Sequence, residues 1–242
     1  MESWVYFSPE PIREDVVRGR PVVVIDVLRA STSILTALDH GARGVIPAES
    51  LEAATEMVVK LGQDDVLLCA ERDGRRVEGC DLGNSPSEYT PENVRGRLLV
   101  LTTTNGSRAI LRARGAARVY IGGYVNTGRL VEALARETGI VLVCSGHEGG
   151  FALEDAAFAG HLLHRLAATI GRDILPVNDG AWVALEIGRR SPRTPLRLLR
   201  QSAWGRALEE KGFGDDLALC AAVDAHPVLG VLRDRMIVRA ED

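Results

Sequence analysis

The chain has 242 residues, of which 46% are hydrophobic and 26% are charged, and its net charge is −4. These values exclude a disordered, collagen-like or disulfide-dense scaffold, and the slightly acidic balance argues against nucleic acid as the main partner. Because no Ser/Gly-rich or low-complexity linker divides the chain, we expect a single domain over residues 1–242.

Short apolar runs alternate with helical patterns along most of the chain. Apolar runs of four or five residues are typical of strands buried on both faces, and they predict strands at 22–25, 66–70, 98–101, 119–122 and 140–144, with weaker candidates at 45–46 and 236–238. Helical periodicity bounded by glycine or proline predicts helices at 51–61, 107–114, 127–136, 153–170, 179–187, 196–211 and 216–225. The alternation predicts an α/β fold with a largely parallel or mixed sheet and a helix-rich C-terminal third.

Polar residues follow four of the predicted strands at the point where each strand ends. The four loops occupy residues 26–33, 71–74, 102–108 and 145–150. In open α/β sheets, ligands bind beyond the carboxyl ends of the strands. We therefore expect the chemistry of the protein in these loops.

Two of these loops combine hydroxyl side chains with the start of a helix and an arginine. They supply the candidate anion-binding residues Arg29, Ser31, Thr32, Thr104, Asn105, Gly106, Ser107 and Arg108. A helix N-terminus offers free N–H groups and about half a positive charge, and arginine adds bidentate hydrogen bonds. The same residue types are also the preferred helix caps. The pattern therefore supports anion binding and plain capping about equally.

Carboxylates at the strand ends suggest a metal ion. The candidates are Asp26, Glu71 and Asp81, together with Glu154 and Asp155 at the start of a helix. Oxygen ligands without a Cys/His cluster favour Mg²⁺ over zinc, although the pair at 154–155, taken alone, is better explained by pairing with the helix dipole. Asp26 follows four apolar β-branched residues and needs an arginine or a cation as its partner.

Several motifs, taken together, resemble one family over nearly the whole chain. The motifs are DVLRAST at 26–32, ER at 71–72, DLGNSP at 81–86, TTNGSR at 103–108, CSG at 144–146, ED at 154–155 and GR at 205–206. They resemble the 2-phosphosulfolactate phosphatase family. The resemblance implies a three-layer α/β/α sandwich and a Mg²⁺-dependent phosphomonoesterase. Its substrate would be (2R)-2-phospho-3-sulfolactate, and its products 3-sulfolactate and phosphate, on the route to coenzyme M.

The resemblance and the loop residues together give a full set of expected site residues. We expect Asp26, Glu71 and Asp81 to be catalytic, and the metal to be held from among Asp26, Glu71, Asp81, Glu154 and Asp155. The expected substrate-binding residues are Arg29, Ser31, Thr32, Arg72, Asn84, Ser85, Thr104, Asn105, Gly106, Ser107, Arg108, Ser145, Gly146 and Arg206. Either water or Asp26 attacks the phosphorus, and we favour water because the DxD pattern of aspartyl phosphatases is missing.

Two alternative functions stay open at this point. One is a phosphatase that acts on another phosphorylated hydroxy acid or sugar acid. The other is a non-catalytic module that binds anions, although a pure anion receptor gains nothing from neighbouring carboxylates. The oligomeric state is left open, a homodimer included.

Further features of the sequence bear on the cellular compartment. The longest wholly apolar run, residues 217–223, is far shorter than a membrane span, and the first residues lack the basic and apolar regions of a signal peptide. The four cysteines lie far apart without CxxC or zinc spacing. We therefore expect a reduced, cytoplasmic protein without a membrane partner.

Overall fold

The computed structural model describes residues 1–62, 65–190 and 194–241. The strands in these residues are β1 (Glu2–Tyr6), β2 (Pro21–Ile25), β3 (Gly44–Pro47), β4 (Val66–Arg72), β5 (Arg75–Arg76), β6 (Leu98–Thr102), β7 (Arg118–Gly122), β8 (Gly139–Cys144), β9 (Leu175–Pro176), β10 (Gly230–Arg233) and β11 (Met236–Arg239). The α-helices are α1 (Glu14–Val17), α2 (Ala30–Asp39), α3 (Leu51–Leu61), α4 (Pro91–Val94), α5 (Gly106–Arg112), α6 (Thr127–Leu134), α7 (Leu153–Ile170), α8 (Asp179–Arg190), α9 (Pro195–Gln201), α10 (Ala203–Glu210) and α11 (Gly214–Ala221). Short 3₁₀ helices occupy Pro86–Glu88, Ala113–Gly115 and Tyr124–Asn126.

The strands form one mixed sheet in the order β5-β4-β6-β3-β11-β10-β7-β2-β8-β1-β9. Strands β4, β6 and β3 are parallel to one another, as are β7, β2, β8, β1 and β9. The antiparallel hairpin β10–β11 joins these two groups by pairing with β7 on one side and with β3 on the other. The prediction of a largely parallel or mixed sheet is therefore confirmed.

Helices cover both faces of the sheet, as the alternating side chains of β2 show. Val23 and Ile25 belong to a core that contains residues of α6, α7 and α11, whereas Val22 and Val24 belong to a core with residues of α2 and α5. Successive side chains of a strand point to opposite faces, so both faces of β2 are buried. Each such side chain contributes about 1.5–3 kcal/mol on burial. This arrangement confirms the three-layer α/β/α fold.

Two crossover units bring the two parallel groups of strands together. The unit β2–α2–β3 runs from one group to the other, and β6–α5–β7 returns in the opposite sense. The two helices begin side by side, because a Cβ added to Gly106 at the start of α5 would lie 2.8 Å from the Cβ of Ala30 at the start of α2. The loops that follow β2 and β6 therefore meet at one place.

The predicted strands are confirmed, and two of the predicted helices have the expected bounds. Helix α3 begins where Ser50 Oγ accepts a hydrogen bond from Ala53 N–H (3.2 Å), and it ends at Gly62, whose φ of 56° is left-handed. Helix α7 likewise spans Leu153–Ile170 and ends at the left-handed Gly171. The N-cap serine of α3 and the glycines that end both helices therefore marked these limits in the sequence.

The single helix expected at 196–211 was a wrong prediction. Ser202 has an extended ψ of 153° and separates α9 from α10, because its Oγ accepts a hydrogen bond from Gly205 N–H (3.0 Å). A Cβ at Gly205 would lie 1.8 Å from the carbonyl oxygen of Leu199, so only glycine fits this close approach. Other helices have bounds that differ from the expected ones: the helix expected at 216–225 is α11, which spans Gly214–Ala221.

The structure also bears on the membrane and on the cysteines. None of the described helices combines the length and the apolar character needed to cross a bilayer. The four cysteines, at positions 69, 80, 144 and 220, are all free thiols.

Candidate active site

A cavity of about 260 Å³ lies where the loops after β2, β4, β6 and β8 meet. Its lining residues are Asp26, Leu28, Arg29, Glu71, Arg72, Asp73, Asn84, Thr103, Thr104, Asn105, His147, Glu148 and Trp204. Seven of these were expected from the sequence: Asp26, Arg29, Glu71, Arg72, Asn84, Thr104 and Asn105. Because acidic and basic side chains share this small space, we treat it as the candidate active site.

Asp26 lies at the base of the cavity and is 7% exposed. Its Oδ1 accepts a hydrogen bond from Ala30 N–H (3.2 Å), the first residue of α2. Burial, assisted by the neighbouring carboxylates of Glu71 and Glu154, raises the pKa of Asp26 to about 6, although hydrogen bonds from Ala30 and Ser145 act in the opposite direction. Asp26 therefore lies in a site whose charge favours binding of a proton or a cation.

The glycine after Asn105 allows α5 to begin beside this carboxylate. A Cβ at Gly106 would lie 2.6 Å from Asp26 Oδ2. Any side chain at this position would push against the Asp26 carboxylate or displace the helix. Gly106 thus leaves room for the Asp26 carboxylate and does not itself line the cavity.

Two further buried carboxylates, Glu154 and Asp155, lie in the first turn of α7, and neither lines the cavity. Asp155 Oδ1 accepts a hydrogen bond from Val27 N–H (2.9 Å), and its Oδ2 accepts from Ser145 Oγ (3.1 Å) and Gly146 N–H (3.2 Å). Burial raises the pKa of Asp155 well above its ordinary value, with the charges of Asp26 and Glu154 acting in the same direction. Asp155 thus ties the loop after β2 to the loop after β8 and acts as a positioning residue.

Arg29 lines the cavity, and contacts with three other residues hold its guanidinium in place. Its Nη1 forms an ion pair with Asp216 Oδ2 at 2.6 Å, and the two side chains are 1% and 4% exposed. Its Nη2 donates to the carbonyl oxygen of Gly74, and the guanidinium lies 4.5 Å from the centroid of the Phe213 ring. Because these contacts fix its orientation, Arg29 presents a preorganised positive charge to the cavity.

Two lining residues retain polar groups for a ligand. Asn84 is 5% exposed, and its Oδ1 has no hydrogen-bond partner among the described residues. Such a buried, unpaired acceptor is costly unless a ligand satisfies it. Arg72 is exposed at the cavity wall and forms no ion pair within the described ranges. Together they supply a hydrogen-bonding group and a cation to the same space.

Several expected anion-binding hydroxyls bond the protein backbone instead of facing the cavity. Ser31 Oγ accepts from Asp26 N–H (2.9 Å), Thr32 Oγ1 donates to the carbonyl of Val27 (3.1 Å), and Ser107 Oγ accepts from Thr103 N–H (3.1 Å). Ser85 Oγ donates to Asp216 Oδ1 (2.7 Å), behind Arg29. These hydroxyl groups stabilise the conformation of the loops, as the side chains of helix caps do.

Besides Glu154 and Asp155, the structure leaves three further expected charged residues outside the cavity. Asp81 is exposed, and its Oδ2 accepts a hydrogen bond from Leu68 N–H (2.8 Å) along β4. Arg108 is half exposed and pairs with Glu10 (2.9 Å), while Arg206 donates to the carbonyl of Gln201 on the surface. Each of these side chains has a local partner, which the sequence alone did not reveal.

Other lining residues were not predicted. Trp204 of α10 closes one side of the cavity: its Nε1 donates to the carbonyl of Leu28 (3.0 Å), and its ring stacks on His147 at 4.9 Å between centroids. Its position in the sequence follows the ordinary apolar periodicity of a helix, so nothing there marks it as a site residue. Asp73 and Glu148 also line the cavity, and both have left-handed φ angles, 52° and 50°.

The donor set fits a hard divalent cation held partly by the protein. Asp26 and Glu71 are the buried carboxylates on the cavity wall, and Glu71 Oε1 also accepts from Gly74 N–H (2.6 Å). Within the described residues, no three carboxylates of the cavity place oxygens within 4.8 Å of one another. Mg²⁺ binds in this way, through one or two carboxylates, several waters and substrate phosphate, rather than in a closed cage.

The layered fold and the cavity at its strand ends define an α/β protein with a small, charged pocket. A family model described as 2-phosphosulpholactate phosphatase matches residues 6–235. A probable 2-phosphosulfolactate phosphatase of Pseudothermotoga lettingae is 36% identical over 98% of this chain and 98% of its own length. A protein of the same name from Symbiobacterium thermophilum is 40% identical over 92% of this chain and 95% of its own. The chain belongs to the 2-phosphosulpholactate phosphatase family.

Proposed function

We propose that the chain is a Mg²⁺-dependent phosphomonoesterase that hydrolyses (2R)-2-phospho-3-sulfolactate to 3-sulfolactate and phosphate. The observation that carries this proposal is the pairing of buried carboxylates, Asp26 and Glu71, with the guanidinium groups of Arg29 and Arg72 in one cavity. Carboxylates beside anion-binding cations make chemical sense where a divalent ion joins them to a phosphate. The names of the relatives point to the same substrate.

Asp26 and Glu71 are the residues that would hold the ion. When bound there, Mg²⁺ would neutralise charge on the phosphate and polarise its P–O bonds. Asp155 keeps the Asp26 loop in place through its bonds to Val27 N–H and Gly146 N–H. Asp81 is left out of this set because its side chain bonds Leu68 N–H away from the cavity.

The substrate carries phosphate, sulfonate and carboxylate groups, and the cavity offers separate places for anions. Arg29 is buried and fixed by Asp216, whereas Arg72 is exposed, and both line the cavity. The amides of Asn84 and Asn105 and the hydroxyls of Thr103 and Thr104 provide neutral hydrogen bonds between them. The volume of about 260 Å³ is at the small end of ligand pockets, which suits a three-carbon acid.

Hydrolysis requires water to attack phosphorus in line with the ester oxygen. The new P–O bond forms from water, the bond from phosphorus to the C2 oxygen breaks, and the released hydroxy acid takes up a proton. A carboxylate of the cavity, Asp26 or Glu71, accepts the proton of the attacking water. Arg29 and Arg72 stabilise the charge on the transferring phosphoryl group, the largest part of catalysis in such reactions.

The proposal is tested by measuring phosphate release with equal enzyme on 2-phosphosulfolactate, phospholactate and p-nitrophenyl phosphate, first with Mg²⁺ and then with EDTA. Mg²⁺-dependent turnover that requires the sulfonate supports the proposal. Turnover of phospholactate alone would keep the chemistry and replace the substrate. Tight binding of sulfolactate without release from any ester would overturn catalysis in favour of an anion receptor.

A further inference from the structure

A second group of metal-ligating side chains lies outside the cavity. One ligand atom each of Asp39, His40 and His226 lie within 4.8 Å of one another, and all three residues are half-buried. None of them lines the cavity described above. The sequence gives no hint of the group, because His226 is far along the chain from the other two.

The three side chains are attached to backbone that is helical or held by hydrogen bonds. Asp39 is the last residue of α2, and His40 caps this helix with its N–H directed to the carbonyl of Thr36 (2.9 Å). His226 lies between α11 and β10, and its backbone N–H donates to the carbonyl of Val125 (2.9 Å). The C-terminus of a helix carries about half a negative charge, which favours a cation at this position.

The hydrogen bond of His40 leaves a nitrogen lone pair for a ligand. His40 Nδ1 lies 2.7 Å from the carbonyl oxygen of Tyr89, which can only accept, so Nδ1 carries the proton and Nε2 keeps its lone pair. A ring N–H donated to a backbone carbonyl is the usual arrangement behind a metal-binding histidine. Asp39 uses Oδ2 for His226 Nδ1 (2.9 Å) and Oδ1 for Arg239 (3.8 Å).

We propose that Asp39, His40 and His226 form a binding site for a transition metal ion, Zn²⁺ being the best match. Two imidazoles and one carboxylate are ligands that Zn²⁺ prefers, and three protein ligands leave its fourth position for water. The ion takes the place of the proton between His226 Nδ1 and Asp39 Oδ2, and this proton moves to His226 Nε2 or to solvent, while Arg239 stays on Asp39 Oδ1. The site lies about 15 Å along α2 from its start at the cavity. It joins the end of α2 to the segment that leads into the β10–β11 hairpin.

The test titrates Zn²⁺ into EDTA-treated, dialysed protein in excess Mg²⁺, with binding followed by calorimetry and by the absorption of Co²⁺ as a substitute ion. Variants His40→Gln and His226→Gln each remove one ligand. His164→Gln is the matched control, because His164 is also half-buried and its Nε2 lies 2.8 Å from a backbone carbonyl, that of Leu185. Asp26→Asn tests whether Zn²⁺ binds in the cavity instead, because this variant removes a carboxylate of the cavity. Melting temperatures without metal show whether each variant folds.

We expect one Zn²⁺ per chain in the wild type, His164→Gln and Asp26→Asn, and tetrahedral Co²⁺ absorption in all three. Loss of one ligand should weaken Zn²⁺ binding by about 10–100-fold or more in His40→Gln and His226→Gln. Equal affinity in the wild type and both ligand variants would overturn the proposal, as would loss of binding in Asp26→Asn alone. Absence of saturable binding by the wild type would show that the group is only an ion-pair network. None of these outcomes depends on phosphatase activity.

Discussion

The buried ion pair behind the cavity offers the sharpest test of how the site is held together. Replacing Asp216 by alanine removes the partner of Arg29, whose guanidinium is bonded at 2.6 Å with side chains 1% and 4% exposed. It also removes the acceptor of the Ser85 hydroxyl (2.7 Å). An exposed ion pair contributes only about 0–1 kcal/mol, but breaking a buried one leaves an uncompensated charge and costs about 3–5 kcal/mol. We therefore expect Asp216→Ala to lower the free energy of unfolding by about 3–5 kcal/mol.

Urea unfolding gives the change in the free energy of unfolding. The matched control is Asp215→Ala, because Asp215 is the preceding residue in the same first turn of α11 but is exposed. The control should lose no more than about 1 kcal/mol from the helix dipole. In the double variant Arg29→Met, Asp216→Leu, much of the lost stability should return, since no buried charge remains unpaired. Phosphatase activity should stay low there, because the cavity lacks its fixed cation. A loss below about 1 kcal/mol in Asp216→Ala would refute the reasoning.

Three further predictions follow from single residues. Gly106→Ala puts a Cβ 2.6 Å from Asp26 Oδ2, so it should lower the free energy of unfolding by about 1–3 kcal/mol and also lower activity. The control is Gly115→Ala, because the nearest atom to a Cβ there is 3.8 Å away. Equal activity in the two variants would contradict this prediction. Asn84→Ala should raise KM with little change in the urea midpoint, since its Oδ1 has no partner among the described residues; an unchanged KM would remove Asn84 from the site. Burial lowers the pKa of His161 from 6.5 to about 4, so the folded state favours the neutral ring and stability falls as pH drops below 6.5. Removing the ring's titration in His161→Phe should recover about 2 kcal/mol of that loss by pH 5, and equally steep pH profiles of unfolding would exclude this cause.

The fold was largely predictable because its central strands are buried on both faces. Strands such as β2 and β8 are continuous β-branched or aliphatic runs, and helices such as α7 end at a left-handed glycine. Strand β1 escaped prediction because its pattern ESWVY has polar and aromatic residues and only partial burial. The break at Ser202 was missed because a serine within an amphipathic pattern is compatible with both a helix interior and a cap.

The candidate site was predictable where its residues stand at the ends of strands. Asp26 directly follows β2, Glu71 is the next-to-last residue of β4, and both line the cavity. Which side chains face the cavity was not predictable from residue type. The hydroxyl of Ser31 bonds Asp26 N–H, as a capping residue would, and Trp204 reaches the cavity through a contact between distant parts of the chain. Such choices depend on packing between elements, which no local pattern encodes.

The central claim is that the cavity hydrolyses a phosphate ester and that Asp26 takes part in this reaction. The most direct measurement compares phosphate release from 2-phosphosulfolactate by the wild type, Asp26→Asn and Asp81→Asn, with Mg²⁺ present. Asp81 is the matched control, because its carboxylate accepts from Leu68 N–H (2.8 Å) outside the cavity and asparagine keeps that acceptor. We predict that kcat/KM falls by about 10²–10⁴-fold in Asp26→Asn and by less than about tenfold in Asp81→Asn. Full activity in Asp26→Asn would contradict the account.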